Sequence, residues 1–434
     1  MRTRLPIVLT LLALLVTACS GASPLASPSA PVEDIGLAMS TVARDPATDE
    51  DAANAATAIN AFGMDLYRAM AADAENLVIS PASIALALGM ARPGARGDTA
   101  AEMDAVLREV ASDEHAAWLN ALDQALAARN GTFTDASNKE ADVALRIANA
   151  TFAQAGFPLE QAYLDALAAR FGSGLQLVDF MADPEAARVL INDWVAEQTD
   201  DRIEELLAEG VLTPLTRLAL VNAIYLKAQW HTPFDDERTE DAPFTTADGA
   251  TVMVPTMATD IPMGYADGAG WRAVELPYVG ESLAMTVIVP DDLEAFEAEL
   301  DADLITTISE SLERQKVVLT LPRFSVDTQA SLGDLLKALG MPTPFDPDLA
   351  DFSRMSPLGD DLYISAVIHQ ANIDVDEYGT EAAAATAVIV SATSGPQSDP
   401  LTLNVDRPFL FALRDTLTGA VLFLGRVTDP SPIP

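Results

Sequence analysis

The chain has a single cysteine in 434 residues and only three histidines, His115, His231 and His369. One thiol can close no internal disulfide. Three scattered imidazoles give no clustered metal-ligand spacing, so no metal and no cofactor is expected. A G-x-S-x-G elbow and a phosphate-cradling glycine loop are both missing, and with them the usual starting points for an enzyme. Basic residues are scarce as well, 25 Lys and Arg against 65 Asp and Glu, a net charge of −40. Nucleic acid and sulfated glycans need a basic footprint, so both are excluded as partners. The apolar run over 7–16 is too short to cross a membrane.

Half of the residues are hydrophobic, which allows a large core without covalent staples. Length divided by a typical domain size predicts two or three domains. There is, however, no internal repeat and no linker after about residue 54, and helical patterns come early and strand patterns late. One large α+β domain over 54–434 is the better reading. Residues 1–19 are a processing segment: Arg2 and Arg4, an apolar stretch, then Val16-Thr17-Ala18-Cys19. The cysteine at the cut resembles the lipobox of bacterial lipoproteins. It predicts an exported protein, lipid-anchored at Cys19 to the outer face of a bacterial membrane. Residues 20–53, rich in Ser, Pro, Ala and acids, read as a disordered tether.

Hydrophobic periodicity predicts helices over 55–70, 159–171, 184–198 and 332–339, the last ending at Gly340. Strands are predicted over 143–152, 218–226, 271–276, 283–290 and 316–324, with paired strands in the last 33 residues. Ser80 or Ser83 suits a helix N-cap. Arg96-Gly97-Asp98 reads as a turn leading into a capping box, Thr99 with Glu102, rather than as an adhesion signal.

The stretch from Asp376 to Val390 has two contradictory faces. Ala382, Ala383, Ala384 and Ala385 form a strong helix-forming run, whereas Thr386, Val388, Ile389 and Val390 prefer strands. Along a strand, Thr380, Ala382, Ala384, Thr386, Val388 and Val390 share one small, uncharged face. An Ala-rich helical turn before a buried strand, and a segment able to slide between two strands, both fit. Residues 391–396 read as an exposed loop.

Four motifs in the same order resemble the serpin family, over essentially all of 54–434: Asn76 to Met90, Asn222 to Trp230, Leu319 to Phe324 and Asn404 to Phe411. The resemblance implies a three-sheet fold with about eight or nine helices and an exposed reactive-centre loop. It implies an inhibitor of serine proteases rather than an enzyme, monomeric, with cysteine proteases as secondary targets. In that mechanism an acyl-enzyme forms at the loop, and the cleaved hinge inserts into the main sheet and distorts the protease. The hinge corresponds to Glu377, Tyr378, Gly379, Thr380, Glu381, Ala382, Ala383, Ala384, Ala385 and Thr386. Trp230, Arg323 and Glu377 fall at the upper "breach" of that sheet; Ser80, Ser83, Asn222 and His369 fall at the "shutter" beneath it. Counting forward from Glu377 puts the reactive bond between Thr393 and Ser394, with Ser391 and Ala392 as neighbouring candidates; counting backward from Pro408 gives a different bond. All four are small and neutral, which suits an elastase-like or subtilisin-like pocket. The competing class is a non-inhibitory surface lipoprotein of the same fold that binds or adheres.

Overall fold

The computed structural model describes residues 35–71, 75–108, 112–358, 362–381 and 401–431. Cys19, the hinge residues from Ala382 to Thr386, and Thr393 and Ser394 lie outside them. In chain order the first elements are β1 (Gly36–Ala38), α1 (Asp49–Ala71), β2 (Leu77–Ile79), α2 (Pro81–Ala91), α3 (Gly97–Val106) and α4 (Ser112–Ala127). There follow β3 (Gly131–Thr134), β4 (Glu140–Gln154), α5 (Gln161–Phe171), β5 (Leu175–Val178), α6 (Pro184–Gln198) and β6 (Leu218–Gln229). The centre holds β7 (Glu240–Thr245), β8 (Thr251–Gly268), β9 (Trp271–Pro277), β10 (Leu283–Pro290), α7 (Leu293–Glu299) and α8 (Ala302–Glu310). The last part holds β11 (Glu313–Pro322), β12 (Phe324–Ser331), α9 (Gly333–Ala338), β13 (Ala366–Val375), β14 (Gly379–Thr380), β15 (Leu401–Asn404), β16 (Phe409–Asp415) and β17 (Val421–Val427).

The first sheet runs β1-β5-β4-β6-β14-β13-β12, with β3 on β4 and a direct parallel pairing of β6 with β13. The second runs β15-β11-β8-β9-β10-β16-β17-β2, with β7 on β8. Nine α-helices occur among the described residues. The fold is α+β as expected. Two of the three expected sheets are continuous here, because the 18-residue β8 pairs with β7 and β11 over its length and with β9 at its end.

Burial explains the layering. Every residue of β10 and β17 is buried, and α2 is buried on all sides, wedged against β4, β6 and β17. Phe324 meets Phe409 and Phe411 with ring centroids 5.4 and 5.3 Å apart. A separate apolar cluster seats α6 and the segment after it on the first sheet: Ile191, Val195, Leu206 and Leu207 cover Ala148, Val221 and Ile368.

Three expectations need correction. The capping box does not form: α3 begins at Gly97, so Thr99 and Glu102 already lie inside it. Both side chains reach across the fold instead. Glu102 accepts from the Thr343 amide and hydroxyl at 2.7 and 2.6 Å, and Thr99 accepts from the Asp351 amide. The strand expected over 316–324 is two strands, because Pro322 has no amide donor and Arg323 turns its own amide to Pro255. The stretch read as tether up to residue 53 includes regular structure: β1 lies within it and α1 starts at Asp49. There β1 pairs antiparallel with β5 at the sheet edge, and Arg44 bonds Asn120 and Asp123 at 2.8 and 2.6 Å. Backbone pairing and ion pairs hold this stretch, and neither leaves a periodic apolar signature.

Arg44→Ala is expected to let β1 open. Hydrogen-exchange mass spectrometry should show the 36–38 amides exchanging several-fold faster, with the thermal midpoint moving by no more than about 1 kcal/mol equivalent, the usual scale of a half-exposed ion pair. Unchanged exchange at β1 would show that Arg44 does not hold it.

Candidate functional site

Two strands of the first sheet, β6 and β13, meet in a seam. Their lower halves pair directly, from Ala366 opposite Ala219 to Ala371 opposite Ile224. Above that they part, and β14 stands between them, Thr380 opposite both Val375 and Ala228. The chain leaves β13, turns through Asp376-Glu377-Tyr378 and re-enters the same sheet. Asp376 makes the turn: its carboxylate accepts from the amides of Tyr378 and Gly379 at 2.7 and 3.1 Å. Gly379 is required at the entry. Its φ is +153°, and a Cβ there would sit 2.1 Å from the Ala228 carbonyl oxygen.

Thr380 is buried, and its hydroxyl is 2.6 Å from that of Tyr278. Tyr278 stacks on Trp230 with centroids 4.5 Å apart. Burial pushes the Tyr278 phenol above its ordinary value, so it stays a neutral hydrogen-bonding group. Trp230 closes the mouth: its indole N–H donates to the Asp376 carbonyl at 2.9 Å and its amide to the Tyr378 carbonyl at 2.8 Å. Arg323 reaches buried Glu377 through Nη2 and Nε at 2.7 and 2.8 Å, and the Thr239 hydroxyl donates to the same oxygen. Trp230, Arg323 and Glu377 therefore come together around the turn.

The lower part of the seam is a row of polar side chains across three strands. Asn149 on β4 stands opposite Asn222 on β6, and Asn222 opposite His369 on β13. His369 Nδ1 donates to Asn222 Oδ1 at 2.5 Å, while the Ser80 amide donates to His369 Nε2 at 3.2 Å. Asn222 Nδ2 donates to Asn149 Oδ1 at 2.5 Å and to the Ser83 hydroxyl, and Asn149 Nδ2 donates to the Ser83 carbonyl at 3.1 Å. Ser80 caps α2 through the Ser83 amide, which points both serines up at the row. The four residues expected here meet. Asn149 was missed, although an Asn in the apolar alternation Ile147-Ala148-Asn149-Ala150 was the available signal.

Outward of the mouth, Glu381 has φ +49° and lies largely buried beside Arg202, which also pairs with Asp374 of β13. Burial pushes the Glu381 carboxyl up, against the opposing pull of Arg202.

The comparisons agree with this architecture. Residues 57–430 match the family profile described as Serpin (serine protease inhibitor). The chain belongs to the serpin family. It is 38% identical over 376 residues to an uncharacterized serpin-like protein of Thermococcus kodakarensis, covering 86% of this chain and 85% of that one. It is 37% identical over 383 residues to the leukocyte elastase inhibitor of Bos taurus, covering 85% and 97%. The native-state crystal structure of tengpin, a thermophilic serpin, superposes with a TM-score of 0.79 at 25% identity, over 92% of this chain and all of that one.

Within this serpin, His369 is held neutral: burial lowers its pKa from 6.5 to about 3, and the Ser80 amide already occupies the nitrogen that would take the proton. The unfolded chain binds that proton below about pH 6.5 and the folded chain does not. Stability linked to His369 is thus complete above pH 6.5 and is lost as pH falls from there toward 3, by at most about 1.4 kcal/mol per pH unit. Urea midpoints across pH 7.5 to 5 should fall more steeply for wild type than for His369→Gln, and parallel curves would refute the linkage.

Proposed function

We propose that this serpin inhibits serine proteases as a suicide substrate. The protease attacks the loop beyond Glu381 and forms an acyl-enzyme; the freed hinge then enters the seam as a full strand and carries the enzyme with it. The observation that carries this reading is β14. Gly379 and Thr380 already form ladder pairs between β6 and β13, which supports entry of the rest of the hinge along the same path. Continuation by the two-residue period sends Ala382, Ala384 and Thr386 inward after Thr380, all small and uncharged. Each added residue exchanges solvent for ladder hydrogen bonds and buries one face, which supplies the driving force. A kinetic barrier holds the intact form until the loop is cut.

For the reactive bond we favour Thr393–Ser394, with Ser391 and Ala392 beside it, and hence elastase-like or subtilisin-like targets with shallow primary pockets. No Arg or Lys lies between Gly379 and Asp406, which disfavours trypsin-like enzymes. Cysteine proteases are proposed as secondary targets. Lipidation at Cys19 would present the inhibitor, as a monomer, on the outer face of a bacterial membrane.

Incubation with a panel of serine proteases should give a covalent, SDS-resistant complex cut at 391–394. Thr380→Arg and Ala384→Glu are expected to abolish the complex and leave clean cleavage, because a buried unpaired charge costs several kcal/mol and stalls the strand. Complex at wild-type yield from either variant would refute the inserted-hinge account. Loop clipping without any complex in the wild type would favour the non-inhibitory binding role. Clipped protein should also melt well above intact protein.

A further inference from the structure

The trapping reaction needs the hinge to wait at the mouth of the seam and then move quickly, so something must hold it two residues in. The arrest comes at Glu381, whose left-handed backbone turns the chain out of the sheet. A carboxylate at this position faces away from the buried side that Thr380 occupies. Its nearest cation is Arg202, with Nε 2.5 Å from Oε1. Arg202 also pairs with Asp374, and Tyr225 lies beside Glu381. These partners come from three places: Asp374 from β13, Tyr225 from β6, and Arg202 from the segment after α6.

The position of Arg202 is itself built. Asp200 and Asp201 both have positive φ, 52° and 60°, which bends the chain sharply after α6. Ile203, Leu206 and Leu207 then bury themselves against the sheet. The same segment is tied to β12, where Gln329 Nε2 donates to the carbonyls of Glu205 and Leu206 at 3.1 and 2.7 Å. Arg202 is therefore anchored over the sheet, with one guanidinium spanning the β13 side of the seam and the hinge. For the strand to run on past Thr380, Glu381 must turn to extended φ, and from residue 384, level with Ala371 and Ile224, β13 must move away from β6 by one strand spacing, ~4.8 Å. The turn breaks the contact of Arg202 with Glu381, and the shift pulls Asp374 against a segment that packs on Ala148 and Val221 as well as bonding to β12.

We infer that Arg202 is a positioning residue for loop insertion: its paired contacts with Glu381 and Asp374 fix the hinge with two residues inserted and set the rate at which the rest follows. This rests on the trapping reading above. Arg202 touches no reacting atom and acts only through the hinge.

The test uses the full chain as wild type, Arg202→Ala, Arg202→Lys and Glu381→Gln. Each protein is held without protease below its melting midpoint, and the growth of a high-melting, loop-inserted form is followed to completion. Arg202→Ala and Glu381→Gln are each expected to convert at least about fivefold faster than wild type. Arg202→Lys should fall between, and a protein carrying both Arg202→Ala and Glu381→Gln should convert no faster than the faster single variant. The melting midpoint of protease-clipped protein should not differ among them; a merely structural arginine would lower it. Conversion of both single variants at the wild-type rate overturns the assignment, as does acceleration by Arg202→Ala with none by Glu381→Gln. A parallel complex-formation assay separates the two levels: wild type that forms complex beside inert variants sinks only the role of Arg202, whereas wild type that neither traps nor converts sinks the trapping reading.

Discussion

The pairing of β6 with β13 is the constraint from which the remainder follows. In an ordinary sheet, two central strands are the last to separate, since each lost ladder bond leaves buried donors and acceptors unsatisfied. Here the two strands are joined over only part of their length, and the chain itself occupies the upper gap. The sheet is thus already split at one end by a strand two residues long. Lengthening that strand substitutes one set of backbone partners for another, so the cost of opening the seam is offset as it proceeds. What remains as a barrier is whatever must be released before new bonds form.

That barrier differs in kind at the two ends of the seam. At the mouth the restraints are ionic and partly wet: Arg323 is nearly half exposed although its partner Glu377 is buried. Water can solvate such groups as they part, which keeps the cost of opening moderate. At the floor the row of Asn149, Asn222 and His369 is neutral and, for the last two, fully buried. Its bonds have no solvent to fall back on, so they separate together or not at all. The serines of α2 belong to that row, which couples a helix on the back of the sheet to strand separation on the front.

The sequence displayed most of this for a physical reason: the residues that serve the seam violate the local pattern. Asn222 and His369 are polar groups inside apolar strands, and Ser80 and Ser83 open a helix that is otherwise wholly apolar. Strands β7 and β8 carried no such mark, because one face of each meets water and their alternation is broken by Pro243, Pro255 and Pro262. Thr99 with Glu102 imitated a cap, since the same two residue types serve equally well in a cross-fold bond. Arg202 was unreadable: its role depends on a bend at two aspartates and on a partner far along the chain. Local pattern reports what a residue does to its own element, and Arg202 acts on another.

The edge of the first sheet completes the account. β1 adds to β5 at the end opposite β12, so β6 and β13 lie between two tethered margins. One margin, β12, is tied to the segment after α6 through Gln329; the other lies beside Arg44 and Ser40, which bond to α4 and α5. A sheet that gains a central strand must widen, and it can do so only by moving one margin relative to the other. The margin joined to α6 carries the restraint on the hinge, whereas the segment just after β1 is bound to α4 and α5. Widening is therefore expected to carry β12 and β13 away as a pair and to leave β1, β5, β4 and β6 where they stand, because only the first pair can move without breaking the contacts of the amino-terminal segment.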